Sequence, residues 1–312
     1  LDRAVIVPAE SIPADVVTMN SKLVLCDLTT GEKFTCTLVF PGLANIDKGF
    51  VSVLAPIGAA MIGYRVGDVF EWDTPGGKTS LMYRLARELA GAGQSVLTTT
   101  TTHIRPPAAE ECALCILAPT AEEIMAQAAG RLGEHRHISA AAGRAGESGK
   151  LRGLAPEEVD RLQAAGLFDW IIVEADGAAG RPIKAPADHE PVIPACTGWL
   201  VGMIGLAALG RPLAEQWVFR PEAFARLTGL APGAAVTVEA AAALLVHGRG
   251  VLKGAPAGSR CFAFLNQADS PDRRAAGARI AGIVRQAGGA PIRRVIIGRV
   301  LDEVPVSAVF DL

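Results

Sequence analysis

No part of this sequence reads as a membrane span. The uncharged stretch Gly49–Tyr64 contains Pro56 and is shorter than the roughly 18 apolar residues a spanning helix needs. Neither sign of charge dominates. Thirty Lys and Arg against 32 Asp and Glu leave a net charge of −2, so no global field recruits nucleic acid or an anionic lipid surface. Six cysteines scattered over 312 residues make no disulfide framework and suit a reducing compartment. No leader segment is legible and no internal repeat is seen, so a soluble cytoplasmic protein is expected. What is present is apolar: 50% of the residues are hydrophobic and 20% charged, which excludes a disordered chain. The length suits about two domains, each able to bury a core.

The chain changes character near Gly76. Residues 1–76 hold five Lys and Arg against nine Asp and Glu, while residues 77–312 hold 25 against 23. The first part reads as short strands at Val16–Asn20, Lys22–Leu28, Phe34–Phe40 and Val51–Leu54, with a hairpin turn at Thr30-Gly31. "PIGAAMIGYRVGD" reads as a short helix begun by Pro56 and stopped at Gly67, and Val69–Trp72 as a last strand. One helix on a small antiparallel sheet is the simplest arrangement, an α+β unit.

From Gly76 onward strands and helices alternate. Leu81, Met82, Leu85, Ala86 and Leu89 recur at helical spacing, followed by a strand at Ser95–Thr99. A strand at Ala113–Ala118 leads to a helix opened by a capping box, Thr120 with Glu123. "APEEVDRLQAAG" gives a helix and Trp170–Val173 a buried-type strand, and further strands are expected at Trp199–Ile204, Cys261–Leu265 and Arg294–Ile297. Helices near 221–228, 238–247 and 272–287 separate them, and Gly130–Arg152 reads as a mobile loop. Such alternation predicts a mainly parallel sheet with helices on both faces, an α/β fold.

The chemistry gathers at strand ends. Gly76 and Gly77 would let backbone N–H groups approach a phosphate, with the following helix adding its positive end. Lys78 would reach the outer phosphates, and Thr79 a Mg²⁺ ion. The G-x-x-x-x-G-K-[ST] pattern is incomplete, because Trp72 stands where its first glycine belongs. A bare G-G-K-T also fits a lysine at a helix start. Glu174 and Asp176 follow a strand, where carboxylates hold Mg²⁺ in nucleotide sites but also serve as plain turn residues. Asn266-Gln267-Ala268-Asp269 matches the guanine-reading N-K-x-D pattern with Gln for Lys, so Asn266 and Asp269 are candidate base contacts. Open α/β sheets place ligands at such carboxyl ends. Weaker candidates are Thr98–Thr102, Arg181, Lys184, the pair His189-Glu190, and Cys112 with Cys115, which read more simply as small buried residues.

"IPADVVTMNSKLVLCDLTTGE", "TLVFP" and "SVLAPIGAAMIGYRVGDVFEWDTPGG" make residues 1–75 resemble the C-terminal domain of Rnk, the regulator of nucleoside diphosphate kinase, and of the GreA/GreB transcript cleavage factors. The resemblance implies an FKBP-like fold that docks on RNA polymerase. The helical hairpin of that family should just be ending where the chain opens at "LDRA". "GGKTSLMYRLARELA", "TTTTTHI", "VEADGAAGRPIKAPADHEPVIP", "GLAALGRPL" and "LNQAD" make residues 76–312 resemble the YqeC family, and the resemblance implies a role as an accessory protein of selenium-dependent molybdenum hydroxylases. That resemblance implies a P-loop NTPase-like domain using GTP or ATP with Mg²⁺ as cofactors.

The leading expectation is a nucleotide-dependent helper in hydroxylase maturation, with Lys78, Glu174 and Asp176 as catalytic candidates and a weak NTPase activity at most. Its partners would be a nucleotide, a hydroxylase or its maturation proteins, and RNA polymerase through residues 1–75, with no nucleic acid or membrane. The alternatives are a polymerase-binding protein without catalysis and a chimeric product with impaired nucleotide binding. The β-strand Val69–Trp72 alternates Phe70 and Trp72 with Val69 and Glu71, which suits a sheet with one wet face. It is therefore assigned to the first domain, leaving the second short of a central strand.

Overall fold

The change of rhythm near Gly76 becomes a division into two bodies in the computed structural model, residues 1–73 and residues 74–312. The structure describes residues 11–26, 33–45, 48–53, 58, 61–68, 77–146, 149–289 and 291–312. The strand expected at Val69–Trp72 and the turn at Thr30-Gly31 lie outside them.

In the first body, β1 (Lys22–Cys26) pairs antiparallel with β2 (Lys33–Val39), setting Leu23 opposite Cys36. β3 (Phe50–Ser52) joins β2 in parallel, so the sheet is mixed, not antiparallel throughout. The connection explains this: a 3-10 turn at Pro41–Leu43 carries the chain back before it runs forward again. Val17, Cys36, Leu38, Val51 and Met61 form the core. Val16–Asn20 is no strand. Val16 makes one bridge to Arg65, and Asn20 at φ 66° turns the chain. The Ser21 hydroxyl accepts the Thr18 N–H at 3.0 Å and holds that turn. Helical structure in "PIGAAMIGYRVGD" ends at Met61 and not at Gly67, since Gly63 already has a φ of 85° and the Tyr64 N–H closes on the Met61 carbonyl.

The second body opens with α1 (Lys78–Gly91), which buries Met82, Tyr83 and Ala86. There follow β4 (Val96–Thr100), β5 (Cys115–Leu117), α2 (Ala121–Ala129), β6 (His137–Ala141), α3 (Pro156–Ala165) and β7 (Trp170–Glu174). The four strands form a parallel sheet in the order β7-β4-β6-β5. Alternation sends Leu97 and Ile138 to one face, against Ile124 of α2 and Leu162 of α3. It sends Ile172 and Ala141 to the other, against Met82 and Tyr83 of α1. The segment Gly130–Arg152, expected as a loop, instead supplies β6, with Ile138 fully buried. "HISAA" hides its nature because only Ile138 in it is β-branched.

The remaining elements are β8 (Trp199–Gly205), α4 (Pro221–Thr228), α5 (Val238–Val246), β9 (Arg260–Asn266), α6 (Pro271–Ala287), β10 (Ile292–Gly298) and β11 (Val306–Asp311). β8, β9 and β10 run parallel in that order, and β11 closes the edge antiparallel. Ile204, Phe224, Leu244, Leu265, Ile280 and Val295 lie in the largest core of the molecule. Instead of one continuous sheet, the longer described strands of the second body make two four-stranded ladders, beside two small ladders of two-residue strands (Ile183–Lys184 with Val218–Phe219, and His103–Ile104, Leu151–Arg152 and Gly143–Arg144), and among the described residues β7 and β8 do not pair. β7 is therefore only half-buried, where a fully buried strand was expected. The uncharged run Pro191–Gly210 contains β8, and among the described residues no helix is long and apolar enough to cross a membrane.

Candidate functional site

Gly77 caps α1 with a left-handed φ of 90°. A Cβ there would also lie 2.2 Å from Asn266 Nδ2 and 3.0 Å from the Met203 methyl, so only glycine fits. The first helical bond runs from the Leu81 N–H to the Gly77 carbonyl, which leaves the N–H groups of Lys78, Thr79 and Ser80 without an acceptor inside the helix. This is the anion-attracting end of a helix of 14 residues. Gly76 lies outside the described residues.

The two strand-end carboxylates stand beside it. Lys78 Nζ is 2.5 Å from Asp176 Oδ1, and the Thr79 hydroxyl donates to Glu174 Oε2 at 2.6 Å. Burial raises the Glu174 carboxyl above its ordinary range; the Thr79 hydroxyl and Lys78 charge oppose this, and the Asp176 charge adds to it. Lys184, buried to 4% exposure, reaches both Asp176 Oδ2 at 3.3 Å and Glu190 Oε2 at 2.9 Å. Arg220 Nη1 lies 2.5 Å from the same Glu190 oxygen. Burial alone would raise Glu190, but the hydrogen bond from Arg220 and the adjoining Lys184 ammonium prevail and bring it down to about 2. The result is a continuous chain of charge: Glu174, Lys78, Asp176, Lys184, Glu190, Arg220.

Lys184 and Glu190, weak candidates in the sequence, lie in the middle of this chain of ion pairs, while Arg220 gave no signal there. It precedes the Pro221 that starts α4, and its φ of 64° helps turn its side chain toward Glu190. Asn266 is buried against Gly77, and its Oδ1 accepts the Val300 N–H at 3.1 Å. Asp269 is held at 2.6 Å and 2.9 Å by Arg273, one turn on in α6. The threonines mostly tie strands together: Thr99 donates to the Ala140 carbonyl, Thr100 to that of Glu174 and Thr101 to that of Val192. Arg181 donates to the carbonyls of Glu215 and Ala179, and His189 is exposed. Cys112 and Cys115 are free thiols, and burial raises the Cys115 thiol. Among the described residues no group of three or more His, Cys, Asp or Glu is placed to hold a metal alone.

Comparison with known proteins divides the chain in the same region. The family described as transcription elongation factor GreA/GreB, C-terminal, matches residues 12–82, and the family described as YqeC protein matches residues 75–222. The regulator of nucleoside diphosphate kinase of Escherichia coli (strain K12) is 47% identical over 77 residues, 25% of this chain; the chain spans 57% of its length. GreA of Nautilia profundicola is 40% identical over 77 residues, 48% of its own length. A solved GreA/GreB elongation factor from Nitrosomonas europaea is 41% identical over 24% of this chain and 62% of its own, with a TM-score of 0.22. Protein YqeC of Escherichia coli (strain K12) is 35% identical over 192 residues, covering 62% of this chain and 73% of YqeC. With these matches and a site assembled from residues 77–220, the chain belongs to the YqeC family, joined to a GreA/GreB-type C-terminal domain.

Proposed function

We propose that the second body binds a nucleoside triphosphate, GTP or ATP, together with Mg²⁺, at the N-terminus of α1. The observation that supports this best is the Thr79 hydroxyl 2.6 Å from Glu174 beside Lys78 2.5 Å from Asp176. A hydroxyl and a carboxylate adjoining a free helix end form the donor set that Mg²⁺ and phosphate oxygens share. Lys78 would leave Asp176 for the outer phosphates, and Lys184 would keep Asp176 in place. Trp72 in place of a first glycine and Pro75 without an N–H reduce the backbone cradle, so the affinity falls below that of a complete loop and hydrolysis is slow. A part in the maturation of selenium-dependent molybdenum hydroxylases rests on the YqeC resemblance of residues 76–312.

The test is calorimetric titration of the whole chain with Mg-GTP and Mg-ATP. Loss of the charge-assisted contact in Lys78→Ala removes about 1.5–3 kcal/mol, a weakening of roughly ten- to a hundredfold. Equal binding by parent and variant would place the nucleotide elsewhere. A second reading is favoured by the GreA/GreB-type match over residues 12–82: this part docks on RNA polymerase without catalysis. Retention of the chain on immobilised polymerase, unaffected by nucleotide, supports it; no retention removes it.

A further inference from the structure

Asn266-Gln267-Ala268-Asp269, at the end of β9, carries the guanine-reading pattern with Gln for Lys, and the fold puts most of it to another use. Asn266 is 5% exposed, and both ends of its amide are engaged. Its Oδ1 accepts the Val300 N–H at 3.1 Å, and its Nδ2 packs on Gly77, 2.2 Å from where a Cβ would stand. Gln267 takes a left-handed φ of 63°, uncommon for a residue other than glycine. Its amide oxygen is buried over Gly205, 2.3 Å from the position of a Cβ there. Ala268 is 3% exposed; its N–H donates to the Gly298 carbonyl and its carbonyl accepts from the Arg274 guanidinium, each at 3.1 Å. Of the four, Asp269 alone is exposed, and Arg273 donates to both its oxygens.

A carboxylate reads guanine by accepting its ring and amino N–H groups while a neighbouring side-chain stem lies flat along the base. The residue placed to give that stem, Gln267, is folded onto Gly205 instead. The Asp269–Arg273 pair is half-exposed and one helical turn apart, so by itself it is weak and bars no ligand. The inward turn of Asn266 and Gln267 decides the matter. Asn266 ties the start of α1 to the turn after β10, and Ala268 ties the exit of β9 to Gly298 and to α6. The groups of the candidate site, by contrast, address what all nucleoside triphosphates share. The free N–H groups of Lys78, Thr79 and Ser80, the Lys78 ammonium and the Thr79 hydroxyl suit phosphate oxygens and Mg²⁺.

We infer that the site takes nucleoside triphosphates without regard to the base, purine and pyrimidine alike, and that Asn266–Asp269 is a brace for the phosphate-binding end of α1 and not a guanine reader. The inference rests on the nucleotide reading above and narrows it: recognition lies in the triphosphate and its Mg²⁺. A site built to hydrogen-bond one base rejects others by about a hundredfold or more, because the wrong base leaves the site's polar groups unpaired. Here adenine or cytosine leaves nothing unpaired. Asn266 is satisfied by Val300, and Asp269 by Arg273, with no base present.

The experiment titrates the whole chain calorimetrically with Mg-GTP, Mg-ATP and Mg-CTP, and repeats the series with Asp269→Ala. That change removes one exposed ion pair, so the variant keeps its fold. Expected are dissociation constants within about fivefold of one another for the three nucleotides, and GTP binding by the variant within the same range of the parent. A larger preference for any one nucleotide overturns the inference. If Asp269→Ala abolishes a preference for GTP, Asp269 is the reader; if the preference persists, other groups read the base. A loss of GTP binding beyond that range in the variant overturns it as well. Binding of none of the three is a different failure: it removes the nucleotide reading itself, and this inference with it.

Discussion

Gly77 and Glu190 show how single residues set the conditions at this site. The Gly77 φ of 90° and the 2.2 Å approach of Asn266 leave no room for a Cβ. Gly77→Ala is therefore expected to lower stability by about 1–3 kcal/mol, read by urea denaturation, and to weaken nucleotide binding with it. Glu190 acts through its charge. Its carboxyl falls from the ordinary 4.5 to about 2 in the fold, so the ionised form stabilises the protein fully above pH 4.5. That contribution is lost as the pH drops from 4.5 toward 2. In denaturation at pH 7, 4 and 2.5, Glu190→Gln should remove part of the parent's acid sensitivity in that window. An unchanged pH profile would show that Arg220 and Lys184 do not stabilise the carboxylate. The sequence displayed Gly77, Lys78 and Thr79 because they are contiguous; the Glu190–Arg220 pair spans 30 residues and left no local trace.

β6 and the caps are where element-scale reading succeeded and failed. Thr120 accepts the Glu123 N–H at 3.3 Å, as the capping pattern anticipates, and Thr120→Ala should cost about 1 kcal/mol. β6 was misread because "HISAA" has a composition that permits loop, helix or strand. Only pairing with β4 and β5 decides the matter, and it buries Ile138, Ser139, Ala140 and Ala141. Ile138→Ala is expected to lose about 2–5 kcal/mol, a cost a loop residue would not show. β3 gives the same lesson in the first body: three residues reveal a strand, but their parallel partner is fixed by the route of the connection.

At the scale of the molecule, charge balance governs what the site can attract. Lys78, Lys184 and Arg220 face Glu174, Asp176 and Glu190, three cations against three carboxylates, and the whole chain carries only −2. Such a cluster offers a polyphosphate little net attraction, so binding should depend on the divalent ion. Chelating Mg²⁺ is expected to weaken GTP or ATP binding by about tenfold or more, measured by the same calorimetry. Undiminished binding in chelator would locate the phosphates away from Glu174 and Thr79. The sequence by itself determined most of the strands and helices after Gly76, β6 apart, and the glycine–lysine–threonine turn, because periodicity, capping and turn chemistry act over a few neighbouring residues. Tertiary structure alone decided that Lys184 joins Asp176 to Glu190 and that Arg220 reaches the same Glu190 oxygen. Those outcomes depend on which strand lies beside which, and strand pairing is settled by burial and backbone hydrogen bonding across the whole body.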